Sequence, residues 1–214
     1  IETPHTIELY DNSNIQGAYA VAGMVVYKDG VPSKKDYRKY KIKTVEGPDD
    51  YASMKEVIYR RYYRLLMEQK EMADLIIVDG GLGQIKVAKE VIDGLNLPVH
   101  ICGLSKDDKH STAMLLDENG NQVPIDTKSP LFFLLTRMQD EVHRYAISFH
   151  RQVRSKSLFS SILDEVDGIG EARKKRLLNH FKSVKKMKEA SLEELEAVIP
   201  KNTALKLYEV LHKE

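Results

Sequence analysis

Residues 75–78 read LIIV, a run without a polar position that stops at Asp79-Gly80-Gly81-Leu82-Gly83. A strand with one wet face alternates apolar and polar side chains, whereas a strand with no polar position has both faces covered. A parallel or mixed sheet with helices on both sides meets that condition, so this segment points to an α/β fold. Residues 99–104 read as a second buried strand. Residues 6–11 (TIELYD) form a short strand ending on an acid, and residues 12–17 are turn-like. Residues 18–27 (AYAVAGMVVY) are apolar and β-branched, and Lys28-Asp29-Gly30 closes them with a hairpin signal. Residues 36–43 alternate charge with Tyr37, Tyr40 and Ile42, a half-exposed third strand.

Gly47-Pro48-Asp49-Asp50 predicts a helix start, because an aspartate there satisfies free N–H groups. The helix runs to about Gln69, with Met54, Val57, Ile58, Leu65 and Leu66 as its apolar stripe and Arg60, Arg61 and Arg64 on other faces. A second helix spans Gln84 to about Asp93. Residues 113–116 and 122–125 flank the turn Asp117-Glu118-Asn119-Gly120, and Ser129-Pro130 opens a long helix through about Arg154. The predicted order is βββ-α-β-α-β-ββ-α, an α/β domain over residues 1–154. Residues 155–214 carry no strand signal and read as short helices joined by tight turns, a small all-α domain. The basic stretch from Arg144 to Lys156 is expected to mark the boundary.

No apolar run approaches the roughly 18 residues of a membrane span, and the opening residues lack the charged-then-apolar order of a signal peptide. A lone cysteine, Cys102, rules out an internal disulfide framework and a Cys-cluster zinc site and fits a reducing compartment. The chain opens at Ile1 without methionine, as expected of a piece of a longer protein. The net charge of +1 hides an asymmetry. Between positions 171 and 188, Arg173, Lys174, Lys175, Arg176, Lys182, Lys185, Lys186 and Lys188 face Glu171 alone. Arg144, Arg151, Arg154 and Lys156 form another basic cluster. Such clusters fit an anionic partner or a solvated helix face.

Asp11 and Asp79 each end an apolar strand. Neighbouring strands would set the two carboxylates side by side, and a divalent cation relieves their repulsion. Hard oxygen ligands point to Mg²⁺ or Mn²⁺ rather than zinc. Aspartates in these positions also serve simply as turn or helix caps. The glycine turn after Asp79 fits a phosphate cradle as well, but it lacks the Gly-Lys-Ser/Thr of a Walker loop. In residues 137–154, Asp140 and His143 share a helix face, as do Arg144 and Arg151, and His143 aligns with His150. Histidine holds a proton near neutral pH or ligates a metal. In residues 163–181, an apolar helix, Gly168-Ile169-Gly170 and a basic helix form a helix-hairpin-helix pattern or an ordinary αα-hairpin. In the first reading the glycines bare backbone N–H groups for a DNA phosphate.

Several blocks, in order along the chain, resemble the C-terminal half of the UvrC family, the incision nuclease of bacterial nucleotide excision repair. They are Ile7-Glu8-Leu9-Tyr10-Asp11-Asn12-Ser13 with Gln16-Gly17, Gly47-Pro48-Asp49-Asp50-Tyr51, residues 74–84 (DLIIVDGGLGQ), residues 139–151 (QDEVHRYAISFHR) and residues 166–176. The resemblance implies an RNase-H-like endonuclease domain over 1–154, followed by a tandem helix-hairpin-helix DNA-binding domain over 155–214. It implies a cytoplasmic, metal-dependent enzyme making the 5′ incision in damaged double-stranded DNA, after UvrA and UvrB have marked the lesion. Carried over by position, the family's catalytic aspartates fall on Asp11 and Asp79, its catalytic histidine on His143 and a further acid on Asp50. His150 receives no comparable role. Gly168, Gly170, Arg173, Lys174, Lys175, Arg176, Arg144 and Arg151 are the expected DNA contacts. Two departures stand out: Leu82 replaces a lysine of the family's Asp-Gly-Gly-Lys-Gly-Gln, and the second hairpin, at residues 199–203, lacks Gly-x-Gly. The resemblance does not include the family's N-terminal half, with its GIY-YIG nuclease for the 3′ cut and its UvrB-binding segment. This chain by itself is therefore expected neither to make both cuts nor to be recruited normally. A DNA-binding scaffold without activity and a nucleotide-dependent enzyme using the 79–84 turn are the rival expectations.

Overall fold

The computed structural model describes residues 3–13, 20–106 and 113–212. The expected turn at 12–17 and the Gln16-Gly17 match lie mostly or wholly outside the described residues. The first compact unit is Ile1–His150. Its eight strands form one mixed sheet. Strand β1 (Thr6–Ser13) runs antiparallel to β2 (Val21–Lys28). On its other side β1 runs parallel to β5 (Leu75–Asp79), which is parallel to β6 (His100–Lys106). Two antiparallel strands, β7 (Ala113–Leu116) and β8 (Gln122–Val123), complete that edge. At the other edge β2 holds two short partners, β3 (Val31–Pro32) and β4 (Arg38–Lys41), with a single 3-10 turn at Lys34–Asp36 between them. The expected third strand, residues 36–43, is β4, shorter at Arg38–Lys41, and β3 is an addition not expected from the sequence, confined to two residues by its proline and one-sided pairing.

The apolar run behaves as its composition requires: Ile76, Ile77 and Val78 are fully buried. Helix α1 (Asp50–Met67) begins where Asp49 accepts a hydrogen bond from the Ala52 N–H at 2.9 Å. Helix α2 (Leu82–Gly94) follows β5, and α3 (Pro130–Asp164) follows β8. Met54, Val57, Ile58, Ile85, Ile92, Met138 and Val142 from these helices join the strands in one core. Leu66, expected in the α1 stripe, is exposed, and Tyr62 is buried in its stead. Helix α3 runs to Asp164 rather than ending near Arg154. Residues 131–164 contain neither glycine nor proline, so nothing in the backbone stops the helix there. The basic stretch expected as a boundary is helical.

Period two along β1 puts Glu8 and Asp11 on opposite sheet faces. Glu8 lies on the α1 side and is 1% exposed. Its Oε2 accepts from the hydroxyls of Tyr10 (2.6 Å) and Tyr62 (3.0 Å), and its Oε1 from Arg61 Nη2 (2.7 Å) and Nε (3.1 Å). This network explains the burial of Tyr62 and draws Arg61, expected on another face, into the interior. Burial and the adjacent Glu8 charge hold the Tyr10 and Tyr62 hydroxyls protonated well above their ordinary range.

On the other face, Gly23 of β2 is the cross-strand partner of Asp11. A Cβ at Gly23 would stand 3.1 Å from the Ala146 nitrogen and 3.2 Å from its Cα. The missing side chain therefore lets the α3 backbone settle against the sheet beside Asp11.

The second unit, Arg151–Glu214, has its own core of Phe159, Leu163, Leu177, Met187, Leu195, Leu207 and Leu211. It contains α4 (Glu171–Phe181), α5 (Val184–Glu189), α6 (Leu192–Glu196) and α7 (Lys201–His212). Gly168 has φ +92°, and its Cβ position would lie 3.3 Å from Thr203 Oγ1, so the two hairpins meet at a residue that must be glycine. Ser191 and Glu194 form a reciprocal capping box at the start of α6.

The buried pair in the first unit is open to test. Arg61→Leu leaves Glu8 charged, buried and short of its cation, and is expected to cost about 3–5 kcal/mol. Urea unfolding measures it; a loss below about 1 kcal/mol would mean that water reaches Glu8.

Candidate active site

Parallel pairing of β1 with β5 sets Tyr10 opposite Val78, and the next residue of each strand is an aspartate. Asp11 is buried and Asp79 half-buried. Helix α3 lays His143 across them. Its Nδ1 is 3.0 Å from Asp11 Oδ2 and its Nε2 is 3.1 Å from Asp79 Oδ2. One turn earlier on α3, Gln139 is buried and its Nε2 donates to Asp79 Oδ1 at 2.6 Å. The structure thus brings together three of the residues singled out in the sequence: Asp79 at the end of β5, Asp11 inside β1, which runs on to Ser13 rather than ending at the acid as expected, and His143 on α3. Gln139 lay inside a matched block without a role. The signal that could have found it is its position four residues before His143, which puts both on one face. Asp140, the partner read from the i, i+3 spacing, is exposed.

Opposing effects set the protonation of the group. Burial pulls the Asp11 carboxyl up, the His143 hydrogen bond and charge pull it down, and the Asp79 and Asp50 charges push it up again. The hydrogen bond to Asp11, then the contact with Asp79, raises His143 to about 10 against the pull of burial. The imidazolium therefore stands between two carboxylates at neutral pH and supplies the positive charge they need. Nε2 is shielded from solvent, and its contact with Asp79 is an ion-pair contact without hydrogen-bond direction. One ligand atom from each of Asp11, Asp79 and His143 lies within 4.8 Å of the others. Two carboxylate oxygens and one imidazole nitrogen, of a ring whose inward Nε2 has no hydrogen-bond partner, make a donor set that fits a divalent cation.

Asp50 lies outside this cluster of three. It is the exposed first residue of α1, and its carbonyl accepts from Asn12 Nδ2 at 2.8 Å. Its charge reaches Asp11 through space. In the turn after Asp79, the Gly80 N–H is bonded to Leu104 O and the Gln84 and Ile85 N–H groups to Gly81 O, and no side chain caps the start of α2. Leu82, where the family has lysine, packs against Gly120. His150 is buried.

Of the expected DNA contacts, Gly170 starts α4 in extended conformation with no side-chain cap. Arg173 donates to the Gly168 carbonyl, and Lys174 is paired with Asp164 and Glu171. Lys175, Arg176 and Arg151 are exposed. Arg144 is bound through two nitrogens to Glu141, at 2.7 and 2.8 Å.

A mixed sheet with an aspartate just past the parallel pairing on each of two adjacent strands and a histidine on the crossing helix defines an RNase-H-like nuclease fold. Residues 1–147 match the family model of the UvrC RNase H endonuclease domain, and residues 160–213 match that of the SAM-like helix-hairpin-helix tandem. The chain belongs to the UvrC RNase H endonuclease domain family, and the two matches together correspond to the C-terminal half of UvrC. Among solved structures it is similar to Ciona intestinalis endonuclease V in complex with a 23mer DNA, at 16% identity and TM-score 0.37, over 50% of this chain and 48% of that one. The catalytic domain of human endonuclease V is 16% identical with TM-score 0.35, over 57% of this chain and 61% of that one. The chain thus spans about half to three fifths of the length of these proteins. Among the described residues, no helix is long and apolar enough to cross a membrane.

The bridging histidine has a pH signature. Its folded value, about 10, lies above the ordinary 6.5, so the stability it contributes is complete below 6.5 and fades as pH rises toward 10. In metal-free protein the His143 ring resonances are expected to titrate near the upper value, and in Asp11→Asn to move back toward the lower one. Titration near 6.5 in the unsubstituted protein would show that the two carboxylates do not share this ring.

Proposed function

We propose that the chain is the 5′-incising half of a nucleotide excision nuclease, a divalent-metal-dependent endodeoxyribonuclease acting on damaged double-stranded DNA. The observation that carries this reading is the Asp11–His143–Asp79 cluster just past the parallel pairing of β1 with β5, within a chain of the UvrC family. In this reading residues 1–154 are the catalytic domain and residues 155–214 the DNA-binding domain. UvrB presents the substrate after UvrA has found the lesion, in the cytoplasm.

Asp11 and Asp79 would hold Mg²⁺ or Mn²⁺, which when bound would supply positive charge to the scissile phosphate and its leaving oxygen. His143 either completes the ligand set or takes the proton of the attacking water, and both roles need the neutral ring. The proton that bridges the carboxylates must therefore leave as the cation enters, so affinity for the cation rises with pH. Asp50 lends negative charge from the start of α1. Lys175, Arg176 and Arg151 are exposed and can meet backbone phosphates without reading bases, while the uncapped start of α4 offers N–H donors beside them. Arg144, Arg173 and Lys174 must exchange the partners they have for phosphate.

Asp11→Asn and Asp79→Asn keep shape and remove a ligand charge, and each is expected to abolish incision of a lesion-bearing duplex in the presence of UvrA and UvrB, with folding intact. His143→Ala is expected to lose about 10²–10⁴-fold, and His150→Ala far less. Incision at the unsubstituted rate in either aspartate variant would remove the assignment.

The helical unit has its own test. Deleting residues 158–214 is expected to weaken DNA binding and flatten its salt dependence, because fewer counterions are released. Replacing Gly168 and Gly170 with bulkier residues is expected to act in the same direction. A salt titration on bubble DNA reads the slope; an unchanged slope would make the helical tail a structural or protein-binding appendage and place the phosphate contacts on residues 144–154 and the nuclease face.

A further inference from the structure

We infer that Gln139 is a positioning residue that makes Asp79 a one-oxygen ligand and so biases the site toward small octahedral cations over Ca²⁺; this rests on the metal-site reading above. A carboxylate only accepts, so the Gln139 group 2.6 Å from Asp79 Oδ1 is its amide N–H. That bond engages Oδ1 and leaves Oδ2 as the oxygen nearest His143, at 3.1 Å from Nε2. Gln139 is 5% exposed, so water does not compete freely for the contact. It sits on α3 one turn from His143. One rigid element therefore carries both the nitrogen donor and the group that fixes the rotation of the facing carboxylate. A neutral amide does this without adding charge. A lysine there would compete with the cation, and a glutamate would repel Asp79.

The chemical consequence is selectivity. Ca²⁺ accepts six to eight oxygens in loose geometry and readily takes both oxygens of one carboxylate. Mg²⁺ demands near-ideal octahedral geometry, and a single oxygen from Asp79 leaves angular room for it. With Oδ1 tied to Gln139, two-oxygen binding by Asp79 must share that oxygen with a short buried hydrogen bond or turn the carboxylate away from it. Groups that hold a ligand from behind typically alter metal affinity by about 10–100-fold when removed.

The experiment compares Mn²⁺ and Ca²⁺ affinity, by calorimetry at one pH, in the whole chain and in Gln139→Met and Gln139→Ala. Methionine keeps the length and bulk of the side chain and removes the donor. Alanine removes both, so one folded variant of the two suffices, as judged by thermal melting. The expected result is Mn²⁺ binding weakened by about 10–100-fold and a clear rise in the Ca²⁺-to-Mn²⁺ affinity ratio. A merely structural role would weaken both ions alike and leave the ratio unchanged, and that outcome overturns the inference, as does Mn²⁺ binding within about twofold of the unsubstituted chain. Asp79→Asn is the reference. If the unsubstituted chain binds Mn²⁺ no better than this variant does, the metal site itself falls, and the role of Gln139 with it.

Discussion

Two carboxylates held side by side at the edge of an apolar core repel one another, and the first unit is arranged around that repulsion. Parallel pairing of β1 with β5 creates it by putting Asp11 and Asp79 one step beyond the Tyr10–Val78 pair. Burial of Asp11 strengthens it, since a buried charge is costly unless it finds a partner. The protonated His143 ring answers it in the metal-free protein. For that ring to lie between the acids, α3 must come close to β2, and Gly23 opposite Asp11 permits the approach. The imidazolium thus occupies the electrostatic place of a cation, and proton and metal are alternatives for one position.

The opposite face of β1 handles charge in a different way. Glu8 is answered permanently, by a guanidinium and two hydroxyls whose bonds leave neither of its oxygens without a donor. Asp11 is answered by a group that can lose its proton and turn away. One strand therefore carries a closed ionic network on the α1 side and an exchangeable one on the α3 side. The first fixes where α1 lies, and α1 begins at Asp50, whose carbonyl is bonded to Asn12 beside the exchangeable site. A fixed anchor on one face thus supports a chemically active cluster on the other.

Much of this was legible in the sequence, for physical reasons. The polar-free 75–78 run could only be a doubly covered strand, and Asp79 followed from knowing where it stops, whereas Asp11 was read as the end of a strand that runs on to Ser13. The histidine came from the resemblance rather than from its spacing, which pointed to Asp140. What escaped was contact between segments distant in sequence. Glu8 looked like an ordinary charge in a strand, because nothing near it announces Arg61. Gln139 is a neutral residue on a helix, and its meaning comes from Asp79, 60 residues away. The end of α3 falls beyond the basic stretch, because charge does not break a helix and glycine or proline does, although the two units do divide inside that stretch, between His150 and Arg151.

The wide separation of the cluster's parts has a consequence for timing. During synthesis the β1 carboxylate is made first and must wait for β5, and then for α3, before it has neighbours. Parallel strands need a crossover between them, here α1, and contacts of such long range form slowly. A partly made or partly unfolded chain therefore carries every reactive group and none of their arrangement. The three side chains of the cluster thus meet only with the last long-range pairing of the first unit.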